Sequence, residues 1–115
     1  MGKISNSIYK ARAKIAKALA HWLRIEIVDL LAEEGEKCVC ELTEALDASQ
    51  SVISKHLSTL KEAGIIDSRK EGLNVYYFLE TPCIVEFFSC LDDVIMKEFK
   101  RKRKKINNIF RPKKN

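Results

Sequence analysis

Apolar residues recur at helical spacing in five stretches of the chain, and a sixth stretch is β-branched and aromatic. Ile8, Ile15, Ala16 and Leu19 fall on one side of residues 8–20, with Lys10, Arg12, Lys14 and Lys17 spread around them, which predicts a first helix. Leu23, Ile27, Leu30 and Leu31 make the buried stripe of a second, over 21–34, with Gly35 as its stop signal. Leu42, Ala45 and Leu46 turn inward from a short third helix, 39–46. Asp47-Ala48-Ser49 breaks the chain, Ser49 is placed to cap a fourth helix over 50–63, and Gly64 ends it.

The pattern then changes period. Residues 65–70 and 74–79 are rich in Ile, Val, Tyr and Phe, and Glu71-Gly72-Leu73 between them holds the turn glycine of a hairpin. Thr81-Pro82 opens a final helix, proline being suited to a first turn. Its apolar positions Ile84, Phe87, Phe88, Leu91, Val94, Ile95 and Phe99 cover more than one side of a small core needs. A second copy of the chain is the expected cover, packed around a two-fold axis through the terminal helices. The order α-α-α-α-β-β-α describes a mainly helical fold with a β-hairpin wing, a winged helix-turn-helix with an added helix at each end. Residues 1–100 form this domain, and 101–115 are expected to be a basic, flexible tail, because Arg101–Lys105 has nothing to pack.

At 115 residues, 46% of them hydrophobic, the chain is one globular domain. No apolar run approaches the ~20 residues that span a bilayer, and the first residues lack the apolar stretch of a secretory leader. The expected location is the cytoplasm, without a membrane partner. Thiols stay reduced there, so four cysteines point to metal or redox chemistry before structural bridges. Net charge is +5 but unevenly placed. Residues 1–25 hold six bases and no acid, 26–96 five bases and fifteen acids, and 97–115 ten bases and one acid. An acidic middle between basic ends restricts any nucleic-acid grip to a local surface. No Gly-rich phosphate loop or paired carboxylates suggest an enzyme.

The local surface is the fourth helix. Val52, Ile53, Leu57 and Leu60 anchor one face, and Gln50, Ser51, Ser54, Lys55 and Ser58 occupy the other. Glutamine suits adenine edges in the major groove, and serine bonds either bases or phosphates. Ordinary solvated helix faces use Glu and Lys, whereas this one is rich in Ser and Gln and is followed by a wing. His56 is readable as a half-buried packing residue or as a phosphate contact. Arg69 and Lys70, near the hairpin tip, are expected to meet the DNA backbone or minor groove. The bland alternative is that they keep an edge strand soluble.

Cys38-Val39-Cys40 stands at the start of the third helix, which supports the fourth. Thiolates are soft ligands for As(III), Sb(III), Cd(II), Pb(II), Hg(II) or Zn(II). Inside a regular helix, residues i and i+2 point about 200° apart, so a shared ion is expected to distort the first turn. Cys83 and Cys90 fall with Phe87 and Val94 on one stripe, read as small hydrophobes packed in a core. Sitting ~10 Å apart along a helix they cannot clasp one ion together, but either could add a third ligand to Cys38 and Cys40.

Cys38-Val39-Cys40-Glu41-Leu42, then Gln50–Leu57, then Leu60-Lys61-Glu62-Ala63-Gly64-Ile65-Ile66, resembles the arsenic-repressor (ArsR/SmtB) family over about residues 10–95. The Cys-Val-Cys pair resembles its thiolate-sensing branch. The resemblance implies homodimeric repressors that hold double-stranded operator DNA without any cofactor and release it when metal or metalloid binds. As(III) or Sb(III) is the implied inducer, with Cd(II), Pb(II) or Zn(II) as alternatives. The arsenic members carry a further cysteine three residues on, where this chain has Thr43. The family's zinc and cobalt sensors pair Asp with His on the last helix; Asp92 and Asp93 are present, but the only histidines are His21 and His56. The rival within the same fold is a thiol-redox or persulfide sensor. A rival of another class is an interaction module acting through the basic tail on RNA, membrane or acidic partners.

Overall fold

The computed structural model describes residues 6–110. They form α1 (Asn6–Ala18), α2 (Trp22–Glu34), β1 (Lys37–Cys38), α3 (Val39–Leu46), α4 (Gln50–Glu62), β2 (Ile66–Glu71), β3 (Asn74–Leu79) and α5 (Ile84–Phe110). The chain divides into two compact units, one ending at Pro82 and one beginning at Cys83.

In the first unit, side chains from α2, α3, α4 and β2 meet in one core. Ile27, Val28, Leu42, Ile53, Leu57, Leu60 and Ile66 are fully enclosed. The α4 stripe is Ile53, Leu57 and Leu60, at i, i+4 and i+7. Val52 lies one residue, or ~100°, off that stripe and is 41% exposed, so it is not the anchor the apolar pattern suggested. Ala45 of α3 is likewise exposed.

Chain punctuation follows the turn chemistry. Gly35 ends α2 with φ 83°, its N–H donating to the Leu31 carbonyl at 3.0 Å. Ser49 caps α4 by accepting the Val52 N–H at 3.3 Å. At its other end the Gly64 N–H donates to Lys61 and the Ile65 N–H to Leu60, the paired bonds of a Schellman stop, with Gly64 at φ 82°. This stop swings the chain directly into β2.

The expected hairpin is present, with Ile66 opposite Leu79 and Glu71 opposite Asn74. The short strand β1 was not foreseen. It joins β3 antiparallel, Lys37 opposite Tyr77 and Cys38 opposite Tyr76, giving sheet order β1-β3-β2. The wing is therefore hydrogen-bonded to the residues that lead into α3.

The second unit is α5 itself. Pro82 and Cys83 lie in the turn before it, so the helix starts two residues later than the proline suggested. It continues unbroken through Arg101–Lys105 to Phe110, past the point where fraying was expected. Residues 111–115 of the expected tail lie outside the described residues. Val94, Ile95, Phe99, Ile106, Ile109 and Phe110 are exposed in the single chain. No helix of the described residues is long and apolar enough to cross a membrane.

Candidate thiol site and DNA-reading surface

Cys38 stands outside α3. It is the N-cap, with extended backbone (φ −82°, ψ 168°), because its main chain is committed to β1, and the helix begins at Val39. The 200° divergence of residues i and i+2 applies only within a helix, and Cys38 stands outside it. Cys38 is buried, whereas Cys40 is exposed.

Glu41, which the sequence reading passed over, organises this corner. Its carboxylate accepts the Cys38 N–H at 3.1 Å while its own N–H faces the Cys38 sulfur, a capping box with cysteine in the serine position. The residue three past an N-cap was the signal that could have found it. The neighbouring Cys40 thiol raises the Cys38 thiol above its ordinary pKa; the Glu41 N–H opposes that and burial adds to it. Glu41 is held below the usual carboxylate range by the Cys38 N–H, then by the Cys38 thiol and by Lys37. Thr43 donates its hydroxyl to the Cys40 carbonyl at 2.8 Å. Among the described residues no three His, Cys, Asp or Glu side chains are grouped to hold a metal. Cys83 and Cys90 are exposed in the single chain, so the core-filling role expected of them is not what the structure shows.

On α4, Gln50, Ser51, Lys55 and Ser58 are exposed and Ser54 half-buried, all off the core stripe. Ser51 Oγ lies 3.3 Å from the capping Ser49 Oγ. His56 is engaged with α2 and the turn before it. Its Nδ1 accepts the Arg24 Nε–H at 3.1 Å, and its ring centroid is 4.4 Å from that of His21. Arg24 also donates to the Ala18 carbonyl at 3.0 Å, so it straps the end of α1 to α4. Burial, then the nearby His21, Arg24 and Lys55, lowers the pKa of His56. Of the two readings of His56, the geometry is that of the packing residue.

Arg69 of β2 is also engaged. It forms a two-pronged pair with Glu36, Nε to Oε2 at 2.9 Å and Nη2 to Oε1, and reaches Glu71 at 2.7 Å. Its guanidinium lies 5.0 Å from the centroid of the Tyr76 ring. The pairing holds Glu36 below the ordinary carboxylate range and raises Arg69. Lys70, next along, is exposed, and Leu73 at the hairpin tip is fully exposed.

Comparison with known proteins places this geometry among regulators. The sequence profile described as "Bacterial regulatory protein, arsR family" matches residues 23–68, from α2 into β2. An HTH-type transcriptional regulator of Methanocaldococcus jannaschii is 38% identical over 86 residues, covering 75% of this chain and 97% of that protein. The arsenic resistance transcriptional regulator ArsR1 of Pseudomonas putida is 52% identical over 65 residues, covering 56% of this chain but only 51% of its own length. A homodimeric winged helix-turn-helix DNA-binding domain from Mycobacterium bovis, solved in solution, superposes with TM-score 0.72 at 28% identity, over 88% of this chain and 95% of that one.

Proposed function

The chain belongs to the arsR family of bacterial regulatory proteins, and from that membership we propose that it is a homodimeric repressor released from operator DNA when Cys38 and Cys40 capture a thiophilic metalloid or metal, As(III) or Sb(III) foremost. The family is one of DNA-binding transcriptional regulators and not of enzymes. One observation carries the inducer reading: two free thiols, Cys38 as N-cap and Cys40 in the first turn, stand at the start of the helix that packs against α4. Soft sulfur suits these ions, and each sulfur gives up its proton as it bonds. The identity with an arsenic resistance regulator supports the same choice. Thr43 is a poor third ligand, because its oxygen is hard and its hydroxyl is bonded to the Cys40 carbonyl. Cys83 or Cys90, from the same chain or a second copy, remains the source to test, and Cd(II), Pb(II) and Zn(II) are the competing ions.

In this reading Gln50, Ser51 and Ser54 meet base edges or phosphates, and Lys55, Ser58 and Lys70 meet the backbone. The exposed apolar face of α5 supports a second copy of the chain as partner. The test is operator affinity with and without arsenite for the wild type and the Cys38→Ser/Cys40→Ser chain. Release is expected only in the wild type, and equal release in the double variant overturns the proposal.

The same free thiols, Cys40 among them exposed, favour a second reading, in which an oxidant or a persulfide joins sulfurs in place of a metal. Counting free thiols after peroxide or persulfide treatment separates the two: a metal sensor keeps its release by arsenite under full reduction.

A further inference from the structure

Cys38, Tyr76 and Arg69 occupy one row across the three strands, Cys38 opposite Tyr76 on β3 and Tyr76 opposite Arg69 on β2. Directly paired residues project to the same face of a sheet, so these three side chains are neighbours. The row is closed by Glu36, two residues before Cys38, which grips the Arg69 guanidinium while that group lies over the Tyr76 ring. The thiol site and the wing are thus one mechanical unit: Cys38 cannot move without pulling on Tyr76 through the ladder and on Arg69 through Glu36.

Resting on the proposed thiol site, we propose that the wing reports its occupancy to DNA, with Glu36 as the positioning residue that links the two. Capturing an ion draws the Cys38 sulfur from the Glu41 N–H and shifts β1 in the direction of Cys40. β1 contributes only Lys37 and Cys38 to the sheet, so the Glu36–Arg69 pair is the side-chain tether that carries this shift to β2. The hairpin then tilts relative to α4, and a dimer loses the matched placement of wing and reading helix.

The test uses the full chain and Glu36→Gln, which keeps size and removes the charge that binds Arg69. The quantity read is the ratio of operator Kd with and without arsenite, so that any change in basal affinity cancels. Arsenite binding is followed separately, by near-ultraviolet sulfur–arsenic absorbance and by the loss of free thiols. In Glu36→Gln, binding is expected to match the wild type while the Kd ratio falls at least tenfold short of it. Amide exchange in 66–79 on adding arsenite is expected to rise in the wild type and to change less in the variant. Equal arsenite binding with an equal Kd ratio in the two chains overturns the link and leaves the thiol site standing. Failure of the wild type to bind arsenite through Cys38 and Cys40 overturns both.

Discussion

Glu41 closes on Cys38 from two directions, its carboxylate accepting the Cys38 N–H and its own N–H turned to the Cys38 sulfur. One residue therefore both fixes the start of α3 and touches the Cys38 thiol. Cys38 is buried and its proton is held by Cys40 and by burial, whereas Cys40 is open to solvent. Reactivity belongs to the accessible thiolate. With limiting iodoacetamide at neutral pH, Cys40 is expected to be alkylated several-fold faster than Cys38, as read by peptide mass spectrometry. Equal rates would show that the corner opens freely. Glu41→Gln, which weakens the hold on the Cys38 N–H, is expected to narrow the difference.

Ser49 is the hinge between α3 and the reading helix, and its hydroxyl is the acceptor for the Val52 N–H. Ser49→Ala should cost about 1 kcal/mol of unfolding free energy, measured by urea denaturation. Ser49→Asp should retain most of it, because aspartate also accepts at an N-cap. An alanine variant as stable as the wild type would mean that solvent replaces the cap without loss.

His56 couples the reading helix to α2 as a hydrogen-bond acceptor, so it must be neutral to do so. Its pKa in the fold lies below the ordinary 6.5, through burial first and then the positive neighbours His21, Arg24 and Lys55. The unfolded chain thus binds the proton more readily. Stability is full above about pH 6.5 and declines as the pH falls below it. The melting temperature of the wild type is expected to drop between about pH 7.5 and 5.5, and more steeply than that of His56→Gln. Parallel curves would place the acid sensitivity elsewhere.

Much of this was legible in the sequence, for local reasons. Gly35, Ser49 and Gly64 act within a few residues of themselves, and the apolar period located α2, α3 and α4 to within a residue or two. What was missed depends on partners far along the chain. β1 exists only because Tyr76 and Tyr77 return beside Lys37 and Cys38. Arg24 finds His56 thirty-two residues away, and Arg69 finds Glu36 at thirty-three. The extended backbone of Cys38 was hidden for the same reason, since it follows from that strand. Arg69, expected to meet DNA, and His56, readable either way, have protein partners that no local pattern reveals.

On the proposed reading, the exposed face of α4 separates base reading, by Gln50, from phosphate contact, by Lys55. Gln50→Ala is expected to cost about 1–3 kcal/mol on the preferred operator and to relax preference at one base position. Lys55→Ala should weaken all sequences alike and make the salt dependence shallower by about one ion per chain. Competition binding against single-base operator variants distinguishes them. If Lys55→Ala changed preference and Gln50→Ala did not, the helix would lie in the groove at a different rotation.

The basic end of α5 raises a separate question about DNA affinity. Residues 101–115 contain eight Lys and Arg and no acid. Arg101 is partly neutralised by Glu98 at 2.6 Å, and the rest of the run through Lys105 is exposed on ordered helix. A helix presenting that charge attracts any polyanion, without reading its sequence. Each phosphate it neutralises contributes about 0.9 to the slope of log K against log salt. Removing 101–115 is therefore expected to weaken binding to specific and nonspecific duplexes by similar factors and to flatten the salt slope by several ions per dimer. The ratio of specific to nonspecific affinity should survive, because Gln50, Ser51 and Ser54 are untouched. If that ratio collapses to unity in the truncated chain while it remains folded, sequence reading resides in α5 and not in α4.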